Sequence, residues 1–247
     1  MISILNDWEI QKMRIACKAA SDTLKFVGSK IVPGMTTNQI DEIVRIDTLA
    51  RGAICAPFGY RGFPKSVCVS VNDVVCHGVP SKLVLKDGDI VNIDVTSIVD
   101  GFHGDTSATF FVGTPSKSAK FLTKLAYEAM MIGISKIKDN VRVGDIGASI
   151  QEIVESNGCN VIKDFAGHGI GREFHMDPKI LNFGKRGTGP RLFAGMCITV
   201  EPIVSLGTDE IIIDSDGWTA RTVDGLSSAQ FEHTVLVTQN GYEILTN

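Results

Sequence analysis

The chain has 247 residues, of which 44% are hydrophobic and 21% charged, values typical of a globular protein with a core of ordinary size. A net charge of −4 gives no reason to expect a nucleic-acid partner, which usually requires a basic surface. Neither a transmembrane helix nor a secretory signal is expected. The six cysteines form no Cys-x-x-Cys pair, which argues against a disulfide framework or a structural zinc site and favours a reducing cytoplasm.

Residues 1–52 predict two amphipathic helices in succession. Apolar side chains recur at helical spacing between Ile10 and Val27, which indicates the first helix. Thr36 and Gln39 form a capping-box pattern that predicts the start of a second helix. Gly52 suits the end of that helix, because glycine adopts the left-handed conformation found after many helix termini.

The second half of the chain repeats this plan. Residues 118–138 and 140–154 predict another helix pair, and a shift of 106 residues aligns Gly52 with Gly158. A His–Gly pair follows each helix pair, at His77 and at His168, and acidic residues in predicted strands come next. We therefore expect an α+β fold with two half-units that share one sheet, with helices on one face of it.

The run from Ile90 to Val112 predicts a β-hairpin. Residues 90–99 and 106–112 are rich in β-branched and aromatic side chains, and Asp100-Gly101 between them is a strong turn signal. If Asp100 and Gly101 form the whole loop, strand pairing follows directly from the numbering.

This hairpin brings two aspartates together. The predicted pairing places Asp94 opposite Ser107, and Asp105 lies two residues from Ser107, so both carboxylates share one face of the sheet. For these two residues alone an alternative stays open, in which one aspartate caps the turn and the other faces solvent.

Two further acids strengthen the first interpretation. Glu201 and Glu232 both lie in stretches that predict apolar strands, where a carboxylate needs a partner. Four such acids on one sheet indicate a cation cluster, and two ions fit four carboxylates better than one does. His168 would add an imidazole, which favours manganese, iron, cobalt or zinc over magnesium or calcium.

Five separate segments carry a specific signal: "VCHGVP", "VNIDVTSIVDGFHGDTS", "AGHGIGREFH", "TVEP" and "SAQFEHT". In order and spacing they resemble the signature segments of the type I methionine aminopeptidases of the bacterial kind. The resemblance covers nearly the whole chain. It implies the pita-bread fold, a curved antiparallel sheet covered by helices with pseudo-two-fold symmetry. A single catalytic domain of residues 1–247 is expected, with halves at approximately 1–113 and 114–247.

The resemblance also implies a metal site and a reaction. Two divalent ions (cobalt, manganese, iron, zinc or nickel) would be held by five ligands: Asp94, Asp105, His168, Glu201 and Glu232. Asp105 and Glu232 would bridge the two ions. A hydroxide between the ions would attack the scissile carbonyl and release methionine from peptides and nascent chains with a small second residue. Glu201 would carry the proton, while His77 and His175 would bind the substrate and stabilise the tetrahedral intermediate.

The methionine side chain would enter an apolar pocket. The resemblance assigns its walls to Tyr60, Phe63, Cys68, Phe174 and Trp218. Core packing is the alternative for Cys68 and Trp218, judged by residue type alone. We expect His103 and His233 to be structural or surface residues.

Rival functions share parts of this pattern. Prolidase and aminopeptidase P use the same ligand plan but usually carry an extra N-terminal domain, and a binding protein could keep the fold without catalysis. The complete ligand set favours an enzyme over a binding protein. We expect a cytoplasmic monomer that binds no membrane, with ribosome contact left open.

Overall fold

The computed structural model describes residues 3–247, which form an α+β architecture as predicted. The helices are α1 (Asp7–Gly28), α2 (Thr37–Ala50), α3 (Lys117–Ile134) and α4 (Val143–Ser156), and a 3-10 turn spans Tyr60–Gly62. The strands are β1 (Ile54–Cys55), β2 (Cys68–Val71), β3 (Val74–Cys76), β4 (Ile90–Val99), β5 (Phe102–Phe111), β6 (Asn160–Val161), β7 (Gly167–Gly169), β8 (Met176–Ile180), β9 (Cys197–Val200), β10 (Ile203–Ser205), β11 (Ile211–Ile213), β12 (Ala220–Thr222), β13 (Ser228–Gln230), β14 (Glu232–Thr238) and β15 (Gly241–Ile244).

Local signals define the helix ends. At the start of α2 the Thr36 hydroxyl accepts the N–H of Gln39 at 3.2 Å, and the Gln39 side chain accepts the N–H of Thr36 at 2.8 Å. Gly52 lies just beyond the end of this helix with φ +73°. The capping box and the glycine stop were both predicted, and both are confirmed.

The predicted hairpin is also present. Asp100 and Gly101 have φ values of +51° and +79°, the positive pair that a type I′ turn requires. This two-residue loop places Asp94 opposite Ser107, as the numbering predicted. The second strand begins at Phe102, earlier than expected, because the tight turn lets pairing start immediately after Gly101.

One large antiparallel sheet organises the chain. Its strand order is β1-β4-β5-β14-β9-β7-β8, with β2 added to β4 and β15 added to β14. Two smaller sheets have the orders β13-β10-β6 and β11-β12-β3. The central β5–β14 pair joins a strand of the first half of the sequence to one of the second half, so both halves contribute to one continuous surface.

Helices cover one face of this surface. Helix α1 packs on β4 and β5, while α3 packs on β9, β10 and β13. On β4, Val91, Ile93 and Val95 are buried in the apolar cluster under the first helix pair. Strand alternation turns Asp94 and Thr96 to the opposite face, which is therefore free to carry polar chemistry. Within residues 3–247 none of the helices is long and apolar enough to cross a membrane.

Close contact between α1 and β5 requires Gly104. A Cβ at this position would overlap the backbone of Ala16 and Cys17. We expect Gly104→Ala to lower the free energy of unfolding by about 1–3 kcal/mol, because the helix must move away from the sheet. Chemical denaturation would measure this change.

Gly241→Ala is the matched control. Gly241 lies in β15, its φ is not positive, and no atom lies within 4 Å of a Cβ built there. This variant is expected to stay within about 0.5 kcal/mol of the parent protein. Equal stability of the two variants would contradict the proposed tight contact.

Candidate metal centre and substrate pocket

The structure brings the four predicted carboxylates to one cavity. Asp94 lies in β4, Asp105 in the adjacent β5, and Glu232 opens β14 opposite Ser107. These positions place the three side chains on the face of the sheet that the helices leave open. Together with Glu201 they line a cavity of about 150 Å³.

Glu201 differs in detail from the expectation that it lies within a strand. It follows β9, which ends at Val200, and precedes Pro202. Proline has no N–H to donate, so the ladder stops there and the chain crosses to β10 in a smaller sheet. The carboxylate still reaches the cavity from this strand end.

His168 lies in β7 and meets the carboxylates from the far side of β9. Its Nε2 is 3.7 Å from Asp105 Oδ2 and 3.6 Å from Glu201 Oε1. Donor atoms of Asp105, His168 and Glu232 all lie within 4.8 Å of one another. All five candidate ligands thus line the same cavity.

Burial controls the protonation of this cluster. It raises the pKa of Asp94 to about 7 and that of Glu201 to about 8. The pKa values of Asp105 and Glu232 are raised well above the usual range by burial and, in addition, by repulsion from neighbouring carboxylates. Burial lowers the pKa of His168 to about 4.

These groups fit a divalent cation. A cation would replace the protons on the four carboxyls and relieve their repulsion, and the neutral imidazole is ready to donate its lone pair. A donor set of carboxylate oxygens and one nitrogen suits several first-row metals and does not discriminate among them.

Hydroxyl groups hold the acidic side chains in place, and sequence reasoning missed them. Thr96 Oγ1 donates to Asp105 Oδ1 at 2.7 Å. Thr199 Oγ1 donates to Glu201 Oε1 at 2.8 Å and accepts the N–H of His168 at 2.9 Å. Such partners orient metal ligands and raise their affinity. Strand alternation could have revealed both threonines. Thr96 lies two residues from Asp94, and Thr199 lies two residues from Glu201, so each threonine faces the same side as an acid.

Gln230 is a further residue that the sequence did not reveal. Its Nε2 lies 3.4 Å from Glu201 Oε2, and it lines the mouth of the site. It ends the short strand β13, two residues before Glu232. Gln230 therefore also lies two residues from an acid, although Phe231 separates β13 from β14.

The predicted apolar walls are all present beside the carboxylates. The cavity is lined by Tyr60, Phe63, Cys68, Phe174 and Trp218. The Phe63 and Trp218 rings meet edge to face at 5.2 Å, and Tyr60 lies 5.0 Å from Phe174. Cys68 pairs with Asp94 across the strands, so the apolar pocket directly adjoins the acidic cluster.

Two histidines lie where this pocket opens into a larger outer cleft of about 1000 Å³. His77 has a left-handed backbone with φ +54°, and its ring is 5.2 Å from that of Phe165. His175 has its ring 4.3 Å from that of His168 and its Nδ1 3.0 Å from the Tyr60 hydroxyl. Both side chains line the pocket and the cleft, as substrate-facing residues would.

The two remaining histidines, His103 and His233, lie in different environments. His233 lies on the opposite face of β14, where its Nδ1 is 2.8 Å from Thr246 Oγ1, as alternation predicted. His103 is half-buried within β5, stacks on Phe174 at 5.7 Å, and has its Nδ1 3.1 Å from the Gly171 carbonyl oxygen. It is therefore a structural residue that supports the pocket wall.

The two glycines around His168 allow close strand packing. A Cβ at Gly167 would overlap the carbonyl of Thr199, and one at Gly169 would overlap the carbonyl of Asp177. Because glycine has no Cβ, the backbone of β7 can lie this close to β8 and β9.

Comparison with known proteins shows the family of the chain. The model of metallopeptidase family M24 matches residues 11–239. Methionine aminopeptidase A from Synechocystis sp. is 51% identical over 246 residues, covering 99% of this chain and 97% of that protein. The crystal structure of methionine aminopeptidase from Rickettsia prowazekii matches with a TM-score of 0.99 and 47% identity, over 100% of both chains.

The fold extends to more distant proteins. Prolidase from Pyrococcus furiosus matches 99% of this chain and 65% of its own, with a TM-score of 0.80. At 23% identity this likeness concerns the fold alone. Together these matches confirm the predicted pita-bread architecture.

The raised carboxyl pKa values predict how stability depends on pH. In the metal-free protein, the folded state keeps protons that the unfolded chain loses near the ordinary carboxyl pKa of about 4. The contribution of these carboxyls to the free energy of unfolding should therefore fall as pH rises from about 4 towards the folded-state pKa values of about 7 for Asp94 and about 8 for Glu201. Thermal unfolding across this range would measure the change.

The metal-loaded protein is the control, because a bound cation removes the protons in the folded state too. The difference in unfolding midpoint between the loaded and metal-free forms should widen as pH rises. A difference that stays constant or narrows would contradict the assignment of the buried carboxyls.

Proposed function

Because the chain belongs to metallopeptidase family M24 and, within it, to the type I methionine aminopeptidases, we propose that the residues of this cavity remove methionine from the N-terminus of peptides. The activity is that of a metal-dependent aminopeptidase, a hydrolase. The observation that carries the proposal is the meeting of five candidate ligands and an apolar pocket in one cavity. A small second residue is preferred.

The proposed metal ligands are Asp94, Asp105, His168, Glu201 and Glu232. Their burial, their raised carboxyl pKa values and the neutral imidazole support this set. These residues would hold two divalent ions (cobalt, manganese, iron, zinc or nickel), and Asp105 and Glu232 would be the ligands shared by both. Such ions, when bound, lower the pKa of water to near neutrality and polarise a carbonyl oxygen.

Glu201 is the proposed proton carrier. Its carboxyl faces the cavity at the end of β9, with Oε1 3.6 Å from Nε2 of His168. It would accept a proton from the attacking water and return it to the leaving nitrogen. The Thr199 hydroxyl, 2.8 Å from Oε1, and the Gln230 amide nitrogen, 3.4 Å from Oε2, would keep the carboxylate oriented for this exchange.

His77 and His175 are the proposed hydrogen-bonding partners of the scissile peptide. They lie between the apolar pocket and the outer cleft, which is where a peptide bond would lie with methionine in the pocket. A hydrogen bond that strengthens as the carbonyl oxygen gains charge stabilises the tetrahedral intermediate.

The proposed methionine pocket consists of Tyr60, Phe63, Cys68, Phe174 and Trp218. Aromatic edges and a buried thiol make favourable contacts with a thioether. These walls and the acidic cluster share one cavity of about 150 Å³, which opens into the outer cleft beside His77 and His175.

The wider setting is also a proposal. We assign residues 1–247 to one catalytic domain, with halves at approximately 1–113 and 114–247 that each contribute a helix pair and acidic residues. The protein would act as a cytoplasmic monomer on peptides and nascent chains, including those still at the ribosome.

Removal and replacement of metal test the proposed function. Methionine release from Met-Ala-Ser should disappear after chelation and return when a divalent ion is added, measured by chromatography of the released amino acid. Peptides of the form X-Pro serve as the comparison substrate. Preferential cleavage of X-Pro peptides, or methionine release that persists without metal, would refute the assignment.

Asp105→Asn tests the bridging role. Loss of this carboxylate should reduce metal content and activity together, by more than the roughly 10- to 100-fold typical of an outer-shell partner. Elemental analysis and the peptide assay would measure both, while circular dichroism should show an intact fold. Asp209→Asn is the control, since Asp209 forms an exposed ion pair with Lys163. Full activity in Asp105→Asn would exclude the role.

A further inference from the structure

The Tyr60 hydroxyl lies 3.0 Å from Nδ1 of His175, a contact that a role as pocket wall does not explain. We propose that Tyr60 is a positioning residue whose hydroxyl donates to Nδ1 of His175 and so holds the imidazole proton on Nε2. With Nδ1 engaged, Nε2 is the ring nitrogen left for the scissile peptide. The inference rests on the proposed function, since it assigns His175 the donor in that reaction.

The direction of this hydrogen bond follows from the partners available. Within residues 3–247, the Tyr60 hydroxyl has no hydrogen-bond partner besides His175. If Nδ1–H donated to the phenol oxygen, the hydroxyl hydrogen would need another acceptor. Water could serve only until a methionine side chain fills the pocket that Tyr60 lines. Donation from the hydroxyl to the bare nitrogen satisfies both groups with substrate bound.

Neighbouring side chains hold the ring of Tyr60 so that its hydroxyl stays directed at Nδ1 of His175. It stacks on the His175 ring at 5.3 Å and 23°, and it packs on Phe174 at 5.0 Å. The Arg61 guanidinium lies over its face, 5.4 Å from the centroid. Gly59 and Arg61 on either side have positive φ values of 80° and 48°, so a tight turn presents the ring.

The tautomer matters because a neutral imidazole has one donor and one acceptor nitrogen. Only the form protonated on Nε2 can donate there to a carbonyl oxygen that gains negative charge. The other tautomer would present a lone pair and repel it.

Tyr60→Phe removes the hydroxyl and keeps the aromatic wall. In the zinc-loaded enzyme we expect kcat for Met-Ala-Ser to fall by about tenfold, the effect of one lost hydrogen bond on the donor population. KM should stay nearly unchanged because the ring still lines the pocket. Tyr242→Phe, an exposed tyrosine in β15, is the matched control and should leave both constants unchanged. Unchanged kcat, or a raised KM with normal kcat, would overturn the proposal.

The tautomer can be observed directly in the unmodified chain. Long-range ¹H–¹⁵N spectra of the histidine-labelled, zinc-loaded protein, with His175 assigned by His175→Gln, should show the proton on Nε2. In Tyr60→Phe the signals should move towards a mixture of tautomers. A proton on Nδ1 in the wild-type protein would overturn the inference. Failure of the proposed function is separate, since the wild-type enzyme would then release no methionine.

Discussion

Enclosure of four carboxyl groups in one cavity is the constraint on which the rest of this structure depends. Burial raises the pKa values of all four, and repulsion between carboxylates adds to the effect at Asp105, Glu201 and Glu232. Anions so close together need hydrogen bonds, protons or cations around them. Threonine hydroxyls supply the first of these at Asp105 and Glu201, and the donor set as a whole is suited to divalent ions.

The fold meets this constraint by separating two environments on one sheet. Helices cover one face, where Val91, Ile93 and Val95 of β4 belong to an apolar cluster, and the acids project from the other. Because β5 pairs with β14, carboxylates from the two halves of the chain become neighbours. The apolar pocket adjoins this acidic face through the β2–β4 pair, so a side chain bound there brings its peptide bond to the acids.

Much of this could be predicted where a local rule applies. The two-residue turn at Asp100-Gly101 and strand alternation placed Asp94 and Asp105 correctly, and the capping box placed α2. The end of β9 before Glu201 was missed, although Pro202 was a visible signal. The roles of the five ligands came from resemblance to a family, and no local rule would have brought His168 to them.

The sequence by itself determined the helices, the hairpin, the position of Asp94 and Asp105 on one face of the sheet, and the family. These depend on turns, caps and alternation, which act over a few residues, and on motifs in a matching order. Tertiary structure alone decided which remote side chains touch. Tyr60 and His175 are separated by 115 residues yet lie in hydrogen-bonding distance, and Thr199 links His168 to Glu201 across two strands. Such contacts depend on the order of strands in the sheet and on the packing of loops above it, which no periodicity encodes.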